Sequence, residues 1–204
     1  MITLDEAWLT LDYRNGQATH YYDKKKKSER TRHPPVATSA PQFCDQVMFA
    51  AGFSIERITR LYFFPKKTKV CAEVFFKYVL TPMFKYDVPR IFGENKDSVV
   101  LHMDSASSHT AVYTTKCLHS HDMKYTNKEE WLPNSPKLSP MDYFANGHLK
   151  QQLQTRKYRT MRGLIASGEE EWSKIPQKMF SKAIASWEKR MLVVHKAKGH
   201  DVPL

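Results

Sequence analysis

The sequence predicts an α/β fold, in which a mixed central β-sheet is flanked by helices and extra helices follow at the C-terminal end. The first observation is the order of the predicted elements, which alternate between strands and helices before ending in helices. The second is a composition of 41% apolar and 26% charged residues over 204 residues, ordinary for a folded protein. We therefore expect residues 1–204 to form a single domain.

Four strands are predicted in the first third of the chain. Period-two alternation predicts the first over residues 2–13, and apolar residues on both of its faces indicate a strand covered on both sides. Asn15-Gly16 is typical of a hairpin turn, so a returning strand is expected over residues 17–22. Two further strands are predicted over residues 47–53 and 58–64.

The later elements alternate between helices and strands. They are predicted as a helix at 69–80, a strand at 98–103, a helix at 109–118, a short strand at 123–125 and helices at 140–156, 160–172 and 177–195. Pro82, Pro89 and Gly93 are expected to interrupt the chain after the first of these helices. The C-terminal helices occupy residues 157–195, where Trp172 and Trp187 are expected to anchor a core.

The charge of the chain indicates a polyanionic partner. It carries 32 Lys and Arg residues against 21 Asp and Glu residues, a formal net charge of +11. A basic protein kept soluble by self-repulsion is the alternative, and charge does not separate DNA from RNA. No run approaches the length of a membrane-spanning segment, and no targeting peptide is recognised, so neither a membrane nor a small-molecule cofactor is an expected partner.

A polar loop over residues 23–35 holds the densest group of cations. The candidate nucleic-acid contacts are Lys24, Lys25, Lys26, Lys27, Arg30 and Arg32. Neutralisation of phosphates by these side chains would make binding strongly salt-dependent and largely insensitive to base sequence. Lys66, Lys67 and Lys69 are expected to extend this surface, and a solvated charged loop is the alternative.

Cysteine usage argues against a disulfide framework and against a cysteine-rich zinc site. Cys44, Cys71 and Cys117 are odd in number and widely spaced, which is typical of a reducing compartment. The alternating Cys117, His119 and His121 do not form a converging set of zinc ligands at this spacing.

Three aspartates stand at the end or edge of predicted elements. Asp5 lies in the first strand, Asp104 ends the strand at 98–103, and Asp142 begins the helix at 140–156. Carboxylates on rigid elements can converge on two divalent cations roughly 3.5 to 4 Å apart, and hard oxygen ligands select Mg²⁺ or Mn²⁺. The alternatives are an exposed strand start for Asp5 and helix caps for Asp104 and Asp142, the latter with Ser139.

The segments that carry these aspartates resemble those of the mariner-type DNA transposases. The similar blocks are Leu4-Asp5-Glu6-Ala7-Trp8, the run from Val99 to His109 that contains His102-Met103-Asp104-Ser105-Ala106, and the run from Trp131 to Phe144 that contains Ser135-Pro136-Lys137-Leu138-Ser139-Pro140-Met141-Asp142-Tyr143-Phe144. Thirty-seven residues separate the second aspartate from the third, as in one branch of the mariner-related transposases. The sequence departs from the family at Ser105, where Asn is usual, and at Ser107-Ser108, where Arg-Pro is usual.

The resemblance implies an RNase H-like fold with a DDE/D catalytic triad. Asp5, Asp104 and Asp142 would bind two Mg²⁺ or Mn²⁺ ions and catalyse cleavage and strand transfer of DNA. His109 matches the family's histidine, which implies an accessory role in positioning substrate or metal ligands, with a local role at the helix start as the alternative. The resemblance also implies DNA contact by the basic loop, a homodimer and a nuclear location.

Two other hypotheses remain beside a metal-dependent polynucleotidyl transferase. The first strand begins at Ile2, so the helix-turn-helix region of these transposases is expected to be absent, and with it sequence-specific recognition. A catalytically inactive, transposase-derived DNA-binding or assembly module is therefore the runner-up. An unrelated RNA-binding domain is the third, and it predicts aromatic residues exposed on the sheet and no convergence of carboxylates.

Overall fold

A mixed β-sheet forms the centre of the computed structural model, which describes residues 1–11, 45–131 and 135–197. The strands of the described residues are β1 (Ile2–Thr10), β2 (Gln46–Phe53), β3 (Tyr62–Phe63), β4 (Val100–His102) and β5 (Lys124–Tyr125), in the spatial order β3-β2-β1-β4-β5. β1 pairs antiparallel with β2 and parallel with β4, and β4 pairs parallel with β5. The predicted mixed sheet is confirmed.

β1 lies in the centre of the sheet, and both of its faces are covered by helices. Ile2, Leu4 and Leu9 are each at most 1% exposed, although Trp8 is 41% exposed. β2 pairs with β1 along nearly its whole length, from Thr3 opposite Phe53 to Thr10 opposite Gln46. The predicted turn at Asn15-Gly16 and the strand at 17–22 lie outside the described residues. The strand predicted at 58–64 is reduced to β3 and an isolated bridge between Ile58 and Phe53.

Six α-helices and two short 3₁₀ helices, Gly93–Ser98 and Lys128–Glu130, are assigned in the described ranges. The α-helices are numbered here, with the π-helical turns included in them. They are α1 (72–92), α2 (Ser107–Thr110), α3 (Val112–Ser120), α4 (141–154), α5 (Met161–Lys174) and α6 (Gln177–Lys196). Ala111 has extended backbone angles, φ −61° and ψ 143°, and divides the predicted helix at 109–118 into α2 and α3. The C-terminal helices begin and end within two residues of their predicted bounds. No helix of the described residues is long and apolar enough to cross a membrane.

The prediction that Pro82 and Pro89 interrupt the helical structure after residue 80 is wrong. α1 continues through both prolines and ends at Gly93, which has a positive φ of 52°. A proline ring clashes with the carbonyl four residues earlier, which here belongs to Tyr78 and to Lys85. Each of these residues lies within a π-helical turn, Phe76–Leu80 or Met83–Asp87, and the wider turn accommodates the ring.

Two apolar cores cover the two faces of the sheet. On one face, α1 and α3 pack against Ile2, Leu4 and Leu101. On the other face, α4, α5 and α6 pack against Leu9 and Phe53, so the C-terminal helices lie on the sheet. Helices thus flank both faces, as the sequence predicted.

The two C-terminal tryptophans differ in their environments. Trp172 is 2% exposed and donates its indole N–H to the Thr59 carbonyl at 2.8 Å, which confirms it as a core anchor. Trp187 is half-buried and packs on the ring of His102, with a centroid distance of 4.6 Å. α6 therefore contacts β4 close to the point where the chain continues to Asp104.

Candidate active site

The three aspartates predicted from the sequence are brought to one edge of the sheet. Asp5 lies in β1, Asp104 follows β4, and Asp142 lies in the first turn of α4. β1 and β4 are parallel neighbours, with Thr3 opposite His102, so both chains run toward the same edge. Asp104 and Asp142 line one cleft of about 350 Å³ together with Ser105, Trp131 and Ser139.

Asp5 and Asp142 perturb each other electrostatically. Burial, followed by the negative charges of Asp142, Glu6 and Asp104, raises the pKa of Asp5 to about 8. Burial and the charge of Asp104 also raise the pKa of Asp142, while a hydrogen bond with Asp5 opposes that rise. Like charges in one partly buried site repel each other, so Asp5 and Asp142 are difficult to ionise at the same time.

α4 supplies two further polar side chains to this site. Asn146 donates from Nδ2 to Oδ2 of Asp5 at 2.9 Å, and burial lowers the pKa of Lys150 while Asp5 and Asp142 oppose that shift. Asp142, Asn146 and Lys150 are spaced by four residues, which places them along one face of a helix. α4 therefore contributes one of the three carboxylates, Asp142, together with the amide of Asn146 and the amine of Lys150.

Asp104 is held on the other side of the site by His109. Its Oδ1 accepts a hydrogen bond from Nδ1 of His109 at 2.7 Å and one from the amide N–H of Ala106 at 3.0 Å. Nε2 of the same ring lies 3.0 Å from Oε1 of Glu6. The hydrogen bond from His109 is the main cause that lowers the pKa of Asp104.

His109 is a buried cation between two carboxylates. Burial by itself would lower the pKa of His109, but the charges and hydrogen bonds of Glu6 and Asp104 outweigh it and raise the pKa to about 10. The ring of Phe75 packs beside it, with a centroid distance of 4.6 Å. The histidine predicted as an accessory residue therefore contacts one of the three aspartates directly.

The capping alternatives are resolved differently for the two residues. The bond from the Ala106 amide shows that Asp104 does stabilise the turn that leads into α2. For the helix that contains Asp142, the N-cap residue is Pro140, and no side chain caps the first turn. Ser139 accepts the Asp142 amide through its backbone carbonyl, at 3.0 Å, and a hydrogen bond from the Ser139 side chain opposes the rise in the pKa of Asp142, so the two residues interact at the start of this helix.

The oxygen-rich donor set fits a hard divalent cation. Within residues 1–11, 45–131 and 135–197, no three His, Cys, Asp or Glu side chains are already arranged to hold a metal ion. However, two buried oxygen atoms beside the aspartates, Oδ1 of Asn146 and Oγ of Ser105, have no hydrogen-bond partner. Orphaned oxygens and mutually repelling carboxylates are both features that a Mg²⁺ or Mn²⁺ ion and its ligands would relieve.

The candidate nucleic-acid residues are only partly described. The basic loop at 23–35, with Lys24, Lys25, Lys26, Lys27, Arg30 and Arg32, lies outside the described residues. Lys66, Lys67 and Lys69 are exposed, and Lys66 pairs with Asp45 at 2.6 Å. An exposed cationic segment therefore exists next to β3.

Three residues of the site were not singled out from the sequence. They are Glu6, Asn146 and Lys150. For Asn146 and Lys150 a signal was present, because both follow Asp142 at helical spacing. Glu6 gave no such signal, since neighbouring residues of a strand point to opposite faces and only the fold brings His109 to it.

Comparisons with known proteins support the fold. No protein-family model matches the chain, and no curated protein matches it. A pre-cleavage Mos1 transpososome is similar with a TM-score of 0.78 and 16% identity over 99% of this chain and 56% of that one. The Mos1 mariner paired end complex with Mn has a TM-score of 0.78 at 17% identity, over 99% of this chain and 56% of that one.

The catalytic domain of Mos1 mariner transposase, solved by itself, is similar with a TM-score of 0.72 and 12% identity, over 99% of this chain and 83% of that one. The present chain thus spans little more than half the length of the Mos1 chains in the DNA-end complexes, but most of the isolated domain. At these identities the likeness establishes the architecture. The fold implied by the resemblance of the three sequence blocks to mariner-type transposases is therefore confirmed. The chain has the RNase H-like fold of a mariner transposase catalytic domain.

Proposed function

We propose that this chain is a transposase catalytic domain that cleaves DNA strands and joins them to a target by metal-dependent phosphodiester chemistry. The observation that carries the proposal is the convergence of three carboxylates at one edge of the sheet: Asp104 and Asp142 line one cleft, and their charges act on Asp5. A basic RNA-binding domain, the third hypothesis, would not require that convergence.

In the proposed mechanism, the three aspartates would hold two Mg²⁺ or Mn²⁺ ions. Two bound divalent ions supply activation of an attacking hydroxyl and stabilisation of the leaving oxygen in an in-line displacement. The chain itself orients the carboxylates: Asn146 holds Asp5, His109 holds Asp104, and the first turn of α4 presents Asp142. Solved Mos1 structures with Mn and with Mg support the choice of cations.

The proposed substrate is DNA. The net charge of +11 favours a polyanion, and the Mos1 structures similar to this chain include paired-end and strand transfer complexes. We assign contact with the DNA backbone to the basic loop at Lys24, Lys25, Lys26, Lys27, Arg30 and Arg32, and also to Lys66, Lys67 and Lys69. A homodimer and a nuclear location belong to the same proposal.

Cleavage of an end-labelled DNA duplex in Mg²⁺ or Mn²⁺ tests this function. We expect wild type to cut and Asp104→Ala to lose cutting while it still binds DNA in a gel-shift assay. Asp97→Ala is the control, since Asp97 is an exposed aspartate on the turn after α1. Equal DNA binding with no cutting by any variant, even on a duplex with supplied transposon-end sequence, would contradict the enzymatic proposal.

The second candidate function is a DNA-binding or assembly module that has lost catalysis. Ser105 and Ser107-Ser108 favour it, because they replace the residues usual at these positions in the family. The same assay separates the two candidates. Binding without cutting supports the module, and metal-dependent cutting that depends on Asp104 excludes it.

A further inference from the structure

We propose that Glu6 is a positioning residue for Asp104 and acts on it through His109. This inference rests on the proposed function, since it concerns how one of the three aspartates is presented to a cation. It is carried by a continuous chain of contacts: Glu6 Oε1 lies 3.0 Å from Nε2 of His109, and Nδ1 of that ring lies 2.7 Å from Oδ1 of Asp104.

The side chain of Glu6 contacts the site through this histidine, and its charge also acts on Asp5. It follows Asp5 in β1, and successive side chains of a strand project to opposite faces of the sheet. Asp5 meets α4 on one face, where Asn146 binds it, whereas Glu6 meets the ring of His109 on the other face. The two adjacent acids of β1 therefore have different roles. Asp5 is one of the three aspartates, whereas Glu6 contacts the histidine that binds another of them, Asp104.

The imidazole has no freedom to turn away. Its side chain is 1% exposed, its face packs beside Phe75 at a centroid distance of 4.6 Å, and each ring nitrogen faces a carboxylate oxygen. Glu6 is itself only 14% exposed, while the Asp104 side chain is 46% exposed toward the cleft. The buried Glu6 thus holds the ring of His109 in one orientation, and this ring holds the more exposed carboxylate of Asp104.

This arrangement has a chemical consequence for Asp104. Both hydrogen bonds to its carboxylate, from His109 and from the Ala106 amide, fall on Oδ1. The group is therefore held by one oxygen, so its orientation is set by the protein. Partners that bind a metal ligand directly, as His109 binds Asp104, typically change metal affinity or activity by roughly 10- to 100-fold when they are removed.

Manganese binding by Glu6→Ala and Glu6→Gln, measured by titration with detection of free Mn²⁺ by electron paramagnetic resonance, tests the inference. We expect Glu6→Ala, which acts through His109, to weaken Mn²⁺ binding by roughly 10-fold, the lower end of that range. Glu6→Gln keeps an oxygen that accepts from Nε2 and should stay within a few-fold of wild type. In the DNA cleavage assay, kcat of Glu6→Ala should fall while KM for DNA stays the same.

Glu171→Ala is the matched control. Glu171 lies on α5, its side chain is 11% exposed, and it pairs with Arg156 at 2.8 Å, so its burial and pairing resemble those of Glu6. Its removal should lower stability without changing Mn²⁺ affinity. Equal losses of Mn²⁺ affinity in Glu171→Ala and Glu6→Ala would reduce the effect to general destabilisation and overturn the inference.

A second measurement is independent of metal binding. In ¹⁵N-edited NMR spectra of the cation-free protein, we expect slowly exchanging ring N–H signals from His109 in wild type and in Glu6→Gln, and loss of the Nε2–H signal in Glu6→Ala. If wild type binds no Mn²⁺, the proposed function fails, and these signals still decide whether Glu6 fixes the ring. Unchanged ring signals in Glu6→Ala, or unchanged Mn²⁺ affinity where wild type binds the ion, would overturn the inference alone.

Discussion

Replacement of Asp5 by asparagine is expected to flatten the pH dependence of stability of the cation-free protein. The pKa of Asp5 is raised from 3.8 to about 8 by burial and by neighbouring carboxylates. Between these values the folded protein keeps a proton that the unfolded chain has lost, so the free energy of unfolding falls as pH rises through this window. The loss is complete above about pH 8.

The size of the effect follows from the width of the window. At ~1.4 kcal/mol for each pKa unit, the difference between 3.8 and about 8 corresponds to an upper limit of roughly 6 kcal/mol. Part of this belongs to Asp142, because the two carboxyl groups titrate as a pair. Even half of it is large against the ~5 to 15 kcal/mol that stabilises a typical domain, and is therefore measurable.

Urea unfolding between about pH 5 and about pH 8.5 in the presence of EDTA measures this dependence. Wild type should lose stability toward high pH, and Asp5→Asn should lose much less. Asp97→Asn, at an exposed position, is the control and should follow wild type. If Asp5→Asn shows the same slope as wild type, the electrostatic account of the cluster is refuted.

The remaining predictions concern packing, close approach and one buried hydrogen bond, each measured by urea unfolding. Phe180→Ala should cost ~3 to 5 kcal/mol, because this ring is 0% exposed in the core beneath α6. Gly52→Ala should cost ~1 to 3 kcal/mol, since a Cβ there would lie 2.7 Å from the Thr3 carbonyl oxygen. Tyr143→Phe should cost ~1 kcal/mol, because it removes the 2.6 Å bond to the Ala183 carbonyl, and a value near zero would contradict a role for α6 in holding the residue next to Asp142.

The fold was predictable wherever its signals were local. β1 is buried on both faces, and α5 and α6 are each buried on one face. The spacing of apolar residues along the sequence predicts which faces of a strand or helix are buried. The continuation of α1 through Pro82 and Pro89 was not predictable in this way. It depends on π-helical turns stabilised by packing against the sheet, and proline rules describe regular helices.

The candidate site was predictable in its three aspartates and in His109, and not in the other partners of the aspartates. Asp5 and Asp104 lie in or after neighbouring parallel strands, so topology brings these two to one edge of the sheet. Packing of α4 on the sheet brings Asp142 to them. The bond from Asn146 to Asp5 joins residues far apart in the sequence, as does the contact of Glu6 with His109. Such pairs are set by tertiary packing, for which a single sequence carries no direct signal.

Anomalous diffraction from crystals soaked in manganese chloride tests the central claim most directly. The account predicts manganese peaks at the sheet edge, about 2.1 Å from carboxylate oxygens of Asp5, Asp104 and Asp142, with two ions roughly 3.5 to 4 Å apart. Soaked crystals of Asp104→Ala should lose at least one of these peaks. Manganese bound elsewhere on the protein with none between the three aspartates would contradict the account.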